Sequence, residues 1–95
     1  MDHQYLIELP NISQVLASKL KQAGINKTQE LYSVGAKEAF FRIRQFDKEA
    51  CINMLYALEG AVQGIRWHKL DGISKFELKE FYDFLTIQGP LKESK

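Results

Sequence analysis

The side chains best equipped for chemistry in this 95-residue chain are cationic and aromatic rather than nucleophilic. Gly35 is followed by Lys37, Arg42 and Arg44. A small residue in a tight turn exposes backbone N–H groups at a helix start, and cations close by would complete a phosphate contact. The competing reading is a solvated helix face beyond a helix-ending glycine. At the second location, Arg66 and His68 flank Trp67, the single tryptophan. Such a corner can read a nucleotide or a peptide by stacking and charge; otherwise Trp67 plugs the end of the core while Arg66 and His68 stay wet. Acid–base and nucleophilic chemistry find little support. His3 lies in an N-terminal leader, and no second Cys or His stands at metal-ligand spacing. Glu77, Glu80 and Asp83 read as a solvated acidic face. Cys51, placed within a helix, is a poor nucleophile, and no GxSxG, P-loop or Rossmann pattern occurs. No catalytic, cofactor-binding or metal-ligating residue is therefore expected, and the chain reads as a non-enzyme.

The element that must position these groups is the stretch 47–67, DKEACINMLYALEGAVQGIRW. At about 100° per residue, Ala50, Cys51, Met54, Leu55, Ala57, Leu58, Ala61, Val62 and Ile65 cover about half the circumference. Ile52 and Tyr56 interrupt the polar remainder. This predicts one long central helix contacted from several directions, N-capped by Asp47, with Arg66 at its C-terminal end. Ala57, Ala61 and Gly64, with Gly60 beside them, form a strip almost without side chains. Glycine inside a helix costs about 1 kcal/mol, so close approach by another helix is expected there.

Around it, residues 1–8 read as a leader in which Tyr5, Leu6 and Ile7 can pack as a lid. Asn11, with Gln14 three positions on, predicts a capping box for a first helix that buries Ile12, Val15, Leu16 and Leu20 and stops at Gly24. A short second helix starts at Asn26, with Gln29 as its return partner, and breaks at Val34, Gly35 and Ala36. A third runs over about 37–44, burying Ala39, Phe40 and Ile43. Ser74 and Glu77 predict a capping box for the last helix, with Ile73 and Leu78 as its staple. That helix buries Phe76 or Leu78, Phe81 and Leu85, with Tyr82 and Phe84 covering the edges. Gly89 and Pro90 close the fold, and 88–95 reads as a flexible tail.

With 45% hydrophobic residues, the chain can bury one core but not two. Thirteen Lys plus Arg against twelve Asp plus Glu leave it almost neutral. Nucleic-acid binding would then depend on a local cluster of cations. One cysteine cannot form an internal disulfide, and no apolar run approaches a membrane span. With no signal peptide at the N-terminus, a cytoplasmic location is expected.

A weak internal repeat at an offset of 22 pairs Leu9, Ile12, Ser13 and Ala17 with Leu31, Val34, Gly35 and Ala39. Each copy resembles a helix-hairpin-helix element. Only Gly35 stands where that motif carries glycine; Asn11, Ser13 and Ser33 occupy the other glycine positions. The strings LPNI at 9–12, AGI at 23–25, VGAKEAFFRIR at 34–44 and CINMLYALEGAVQGIRWHKL at 51–70 resemble the C-terminal domain of the TfoX/Sxy family over about residues 9–85. That resemblance implies an all-α fold, a compact bundle of about five helices with helix-hairpin-helix character around one long central helix. It also implies a part in regulating natural DNA competence, as a transcriptional co-activator acting with a protein partner, the cyclic-AMP receptor protein. The family supplies no catalytic or ligand residues to carry over. Partner or DNA contacts are therefore expected at Gly35, Lys37, Arg42, Arg44, Arg66 and His68, and direct DNA binding through the 34–37 turn is the alternative to protein contact.

Overall fold

A computed structural model describes residues 5–93, with side chains through residue 87. Four helices, α1 (Gln14–Gln22), α2 (Thr28–Arg44), α3 (Ile52–Gln63) and α4 (Gly72–Glu93), are joined by 3-10 turns at Leu6–Glu8 and Trp67–Lys69. The described residues form no strand, although Tyr5 and Lys27 make an isolated antiparallel bridge. One core joins every helix: Leu16 and Leu20 of α1, Leu31, Phe40 and Ile43 of α2, Leu55 and Leu58 of α3, and Leu78 of α4. None of the described helices is long and apolar enough to cross a membrane.

The central helix is shorter than its apolar pattern implies. Asp47 does not cap it. Its Oδ2 accepts from Lys19 Nζ at 2.6 Å and its Oδ1 from the Glu49 N–H at 3.1 Å. The chain then turns, with the Ala50 N–H donating to the Asp47 carbonyl, and α3 begins only after the extended residue Cys51. Cys51 is consequently exposed, not buried. At the other end Gly64 adopts φ +79°, and the Ile65 N–H returns to the Gly60 carbonyl at 2.9 Å. Glycine reaches this left-handed conformation at little cost, so the helix stops there and leaves Arg66 outside it. Packing still makes α3 the hub, with α2, α4 and the 67–69 turn against it.

The break in α2 falls where expected. Gly35 has φ +84° and ψ 167°, dividing the helix into segments 28–34 and 36–44. That combination lies in a region open essentially to glycine alone. The repeat at offset 22 is reproduced in part. Gln14 opens α1, and residue 36, 22 positions on, opens the second segment of α2. The left-handed residue is Asn11 in one copy and Gly35 in the other, so the two turns differ.

Several caps differ from expectation. Asn11 is not the cap of α1; Ser13 is, its Oγ accepting from the Leu16 N–H at 3.1 Å. Val15 points outward, 66% exposed. At α2 it is Glu30, not Gln29, that reaches back, accepting from the N–H groups of Asn26 and Lys27. At α4 Asp71 takes the Ser74 N–H at 2.7 Å, one turn before the expected box. Ile73 is exposed rather than stapled, and Leu78, not Phe76, is the buried residue. The helix runs through Gly89 and Pro90, where closure was expected. In the leader Leu6 is buried while Tyr5 and Ile7 are exposed, so only part of the expected lid packs. His3 lies outside the described residues, as do the side chains of the expected tail.

Candidate functional site

At the 34–37 turn, Gly35 shapes the backbone, but the basic residues that follow it diverge. Residues 37 and 44 lie about 20° apart on a helical projection, and residue 42 falls on a different side. Lys37 Nζ lies 5.8 Å from the Phe81 ring centroid. The Arg44 guanidinium lies 5.9 Å from the Phe40 ring and 5.6 Å from that of Tyr82, and donates to the Ala50 carbonyl at 3.1 Å. These two cations join α2 to α4 and to the loop before α3. Arg42 Nε pairs with Glu38 at 2.9 Å, and its Nη1 donates to the Ala23 carbonyl at 3.5 Å. The guanidinium groups of Arg42 and Arg44 thus have internal carbonyl, carboxylate and aromatic partners, and the cluster is distributed over three neighbouring elements.

The second location is a built corner. Arg66 and His68 are exposed and Trp67 is half-buried between them. The Trp67 ring stacks on His68, centroids 4.3 Å apart and planes at 24°, and on Tyr56, at 6.0 Å and 14°. Lys75 Nζ from α4 lies 5.9 Å from the same indole. Trp67 therefore caps one end of the core while holding an imidazole at the surface, with Arg66 and Lys69 exposed on either side.

Asn11 holds this corner in place. At φ +70°, it donates from Nδ2 to the Ile65 carbonyl at 2.9 Å and the Ala57 carbonyl at 3.4 Å. Its Oδ1 accepts from the Trp67 N–H at 3.2 Å. The side chain thus takes up the Ile65 carbonyl just beyond α3, makes a second bond to the Ala57 carbonyl within it, and satisfies an N–H of the following turn. It also explains the missing Cβ at Gly60, where a methyl would lie 2.5 Å from Asn11 Nδ2 and 2.8 Å from the Ile65 carbonyl. At Gly60 the close approach is by this amide and the turn.

Sequence reasoning missed Tyr56, Lys75 and Asn11 as parts of the corner. Tyr56 left a trace, an aromatic ring breaking the polar side of α3. Asn11 and Lys75 left none, because Asn11 bonds across 46 to 56 residues and lysine alone carries no spacing signal.

Two open grooves flank α1. One, about 520 Å³, has the Lys19–Asp47 pair on its wall; the other, about 590 Å³, runs from Tyr5 to Lys27. The Lys19 ammonium, chiefly by its hydrogen bond, holds the Asp47 carboxyl below the ordinary carboxylate value. The Ser74 N–H, and then its hydroxyl, do the same for Asp71 at the start of α4. Among the described residues no cluster of three His, Cys, Asp or Glu is placed to hold a metal.

Residues 2–82 match the TfoX C-terminal domain. Protein Sxy of Escherichia coli (strain K12) is 37% identical over 81 residues, which is 85% of this chain and 39% of that protein. The chain thus spans about two fifths of the length of this curated relative. A crystal structure of an uncharacterized protein from Listeria monocytogenes, triclinic form, superposes with a TM-score of 0.84 at 57% identity, covering 85% of this chain and 92% of that one. A tetragonal form of a Listeria monocytogenes protein of unknown function gives 0.83 at 57% identity, covering 84% and 98%.

Proposed function

The chain belongs to the TfoX C-terminal domain family, and from that membership we propose that it is a non-enzymatic interaction module of a cytoplasmic regulator of DNA competence. It acts by contacting a protein of the transcription machinery, for which the cyclic-AMP receptor protein is the candidate partner. The contact surface is the Arg66 to His68 corner together with the exposed side of the 36–44 segment, whose start after Gly35 gives the fold its helix-hairpin-helix character.

The observation that carries protein contact over direct DNA binding is the disposition of the cations. Arg42 and Arg44 have internal partners, and Lys37 lies against Phe81. Releasing them to a phosphate backbone would forfeit those contacts. The corner, in contrast, is rigidly backed by Tyr56 and Asn11 and presents charged, hydrogen-bonding groups outward. Such a surface suits an acidic patch on a folded partner.

Titration of the labelled protein separates the two readings. With the cyclic-AMP receptor protein, amide shifts should concentrate at 66–69, and Arg66→Glu with His68→Ala should weaken binding about tenfold or more while leaving the fold unchanged. Saturable binding to duplex DNA at about 50 mM salt, with a log–log salt slope near −0.9 per phosphate contacted, would instead establish the DNA reading.

A further inference from the structure

Helix α4 carries apolar side chains on two faces, and only one is covered. Leu78, Phe81, Tyr82 and Leu85 pack on the core. Ile73, Phe76, Phe84 and Ile87 are 73%, 64%, 57% and 61% exposed. At about 100° per residue these four and Glu80 fall within one arc of about 80°, on the side away from the core. Their order, Ile73, Phe76, Glu80, Phe84, Ile87, has steps of three, four, four and three, which is symmetrical about Glu80. That spacing averages about 3.5 residues, the period of a helix–helix seam, and spans about 21 Å of helix. Glu77 and Asp83 border the arc. Asp83 holds Lys79 at 3.0 Å, whereas neither Glu77 nor Glu80 forms an ion pair among the described residues.

We propose that this face docks one cationic amphipathic helix of a partner protein, with apolar side chains on Ile73, Phe76, Phe84 and Ile87 and a Lys or Arg opposite Glu80. The symmetry of the stripe argues against a second copy of the chain as occupant. An antiparallel pair matching Ile73 with Ile87 and Phe76 with Phe84 must set Glu80 on Glu80, and a parallel pair does the same. Either arrangement buries two like charges in an apolar seam. The same carboxylates repel the phosphates of DNA and of anionic lipid. A basic residue on the opposing helix turns the central carboxylate from a penalty into a register pin, the role polar residues play at single seam positions. The proposal rests on the reading of the chain as an interaction module but uses another surface. Lys75, which lies over Trp67, projects about 140° away from the stripe centre.

The test uses fluorescein-labelled synthetic helices of about 20 residues, with Leu in the same three-four-four-three spacing around a central Arg and Lys on the flanks. A matched peptide carries Glu in place of Arg and Lys. In fluorescence anisotropy with the full chain, the cationic peptide should bind at least about tenfold more tightly than the acidic one. Phe76→Ser with Phe84→Ser should weaken it about tenfold or more with helical circular dichroism unchanged, and Glu80→Lys should reverse the peptide preference. Absence of binding by the cationic peptide, equal binding of both peptides, insensitivity to the two serines, or a dimer of the free chain in sedimentation equilibrium would overturn the proposal. Because no step involves Arg66 or His68, failure here is distinct from failure of the corner.

Discussion

Asn11 shows how far a single side chain can depart from its local pattern. Asparagine five residues before the buried Leu16 reads as a helix cap, yet Ser13 does the capping and Asn11 serves groups 46 to 56 residues away. Local spacing cannot register such partners. Asn11→Gly keeps the left-handed backbone and loses the three hydrogen bonds, which should cost about 2 kcal/mol; Asn11→Ala adds strain at positive φ and should cost about 1 kcal/mol more. Urea denaturation decides this, and an alanine variant as stable as the parent would refute the clasp. Asp47 is a second such case, a caplike residue occupied by Lys19. Its folded pKa is depressed, so its stabilisation is present in full above the ordinary carboxylate range and is lost as pH falls through the lowered value. Asp47→Asn should therefore cost about 1 kcal/mol at neutral pH, with the parent and variant stability curves converging in strong acid. Cys51 completes the set. Being exposed at the start of α3, it should be modified by a thiol reagent in the native protein; reaction only after unfolding would contradict its placement.

At the scale of elements, the stops at Gly24 and Gly35 were legible because glycine adopts positive φ cheaply. Gly64 does the same, yet the apolar pattern running past it hid the end of α3, and α4 continues through Gly89 and Pro90. Starts were misplaced because several residues able to cap lie near each one, and the tertiary structure chooses among them: Ser13 over Asn11, Asp71 over Ser74. The two glycines of α3 differ in kind for the same reason. Gly60→Ala meets the Asn11 amide and the Ile65 carbonyl, an overpacking cost of about 1 to 3 kcal/mol. Gly64→Ala meets no atom within 4 Å and is limited by its φ of +79°, a cost of about 1 kcal/mol. Pairing Gly60→Ala with Asn11→Gly should be less damaging than the sum of the two, because the first clash disappears with the amide. Strict additivity in that double-mutant cycle would show the glycine and the asparagine to be independent.

Across the whole molecule, the class of fold and much of the core were legible because the apolar periodicity is strong. Leu16, Leu20, Leu31, Ala39, Phe40, Ile43, Leu55, Leu58 and Ala61 are buried as their spacing requires. What periodicity could not assign is which of two apolar faces of α4 turns inward, since Phe76 and Phe84 compete with Leu78, Phe81 and Leu85 on hydrophobicity alone. The aromatic corner was visible as composition and invisible as geometry. Because Trp67 sits where α3, the N-terminal turn and α4 meet, its emission and the helical circular dichroism should report one coincident unfolding transition. An earlier fluorescence transition would reveal a corner that opens by itself.

The amide clasp at Asn11 also has a consequence for the order of biosynthesis. A chain made from its N-terminus must carry that residue without its full set of partners until position 67, 56 residues later, has been added. At the usual 5–20 residues per second that is an interval of roughly 3 to 11 s, during which α1 and α2 can form while the residues that will hold their leading edge do not yet exist. The first turn of this domain is thus among the last to lock, and a ribosome stalled before Trp67 would display it open.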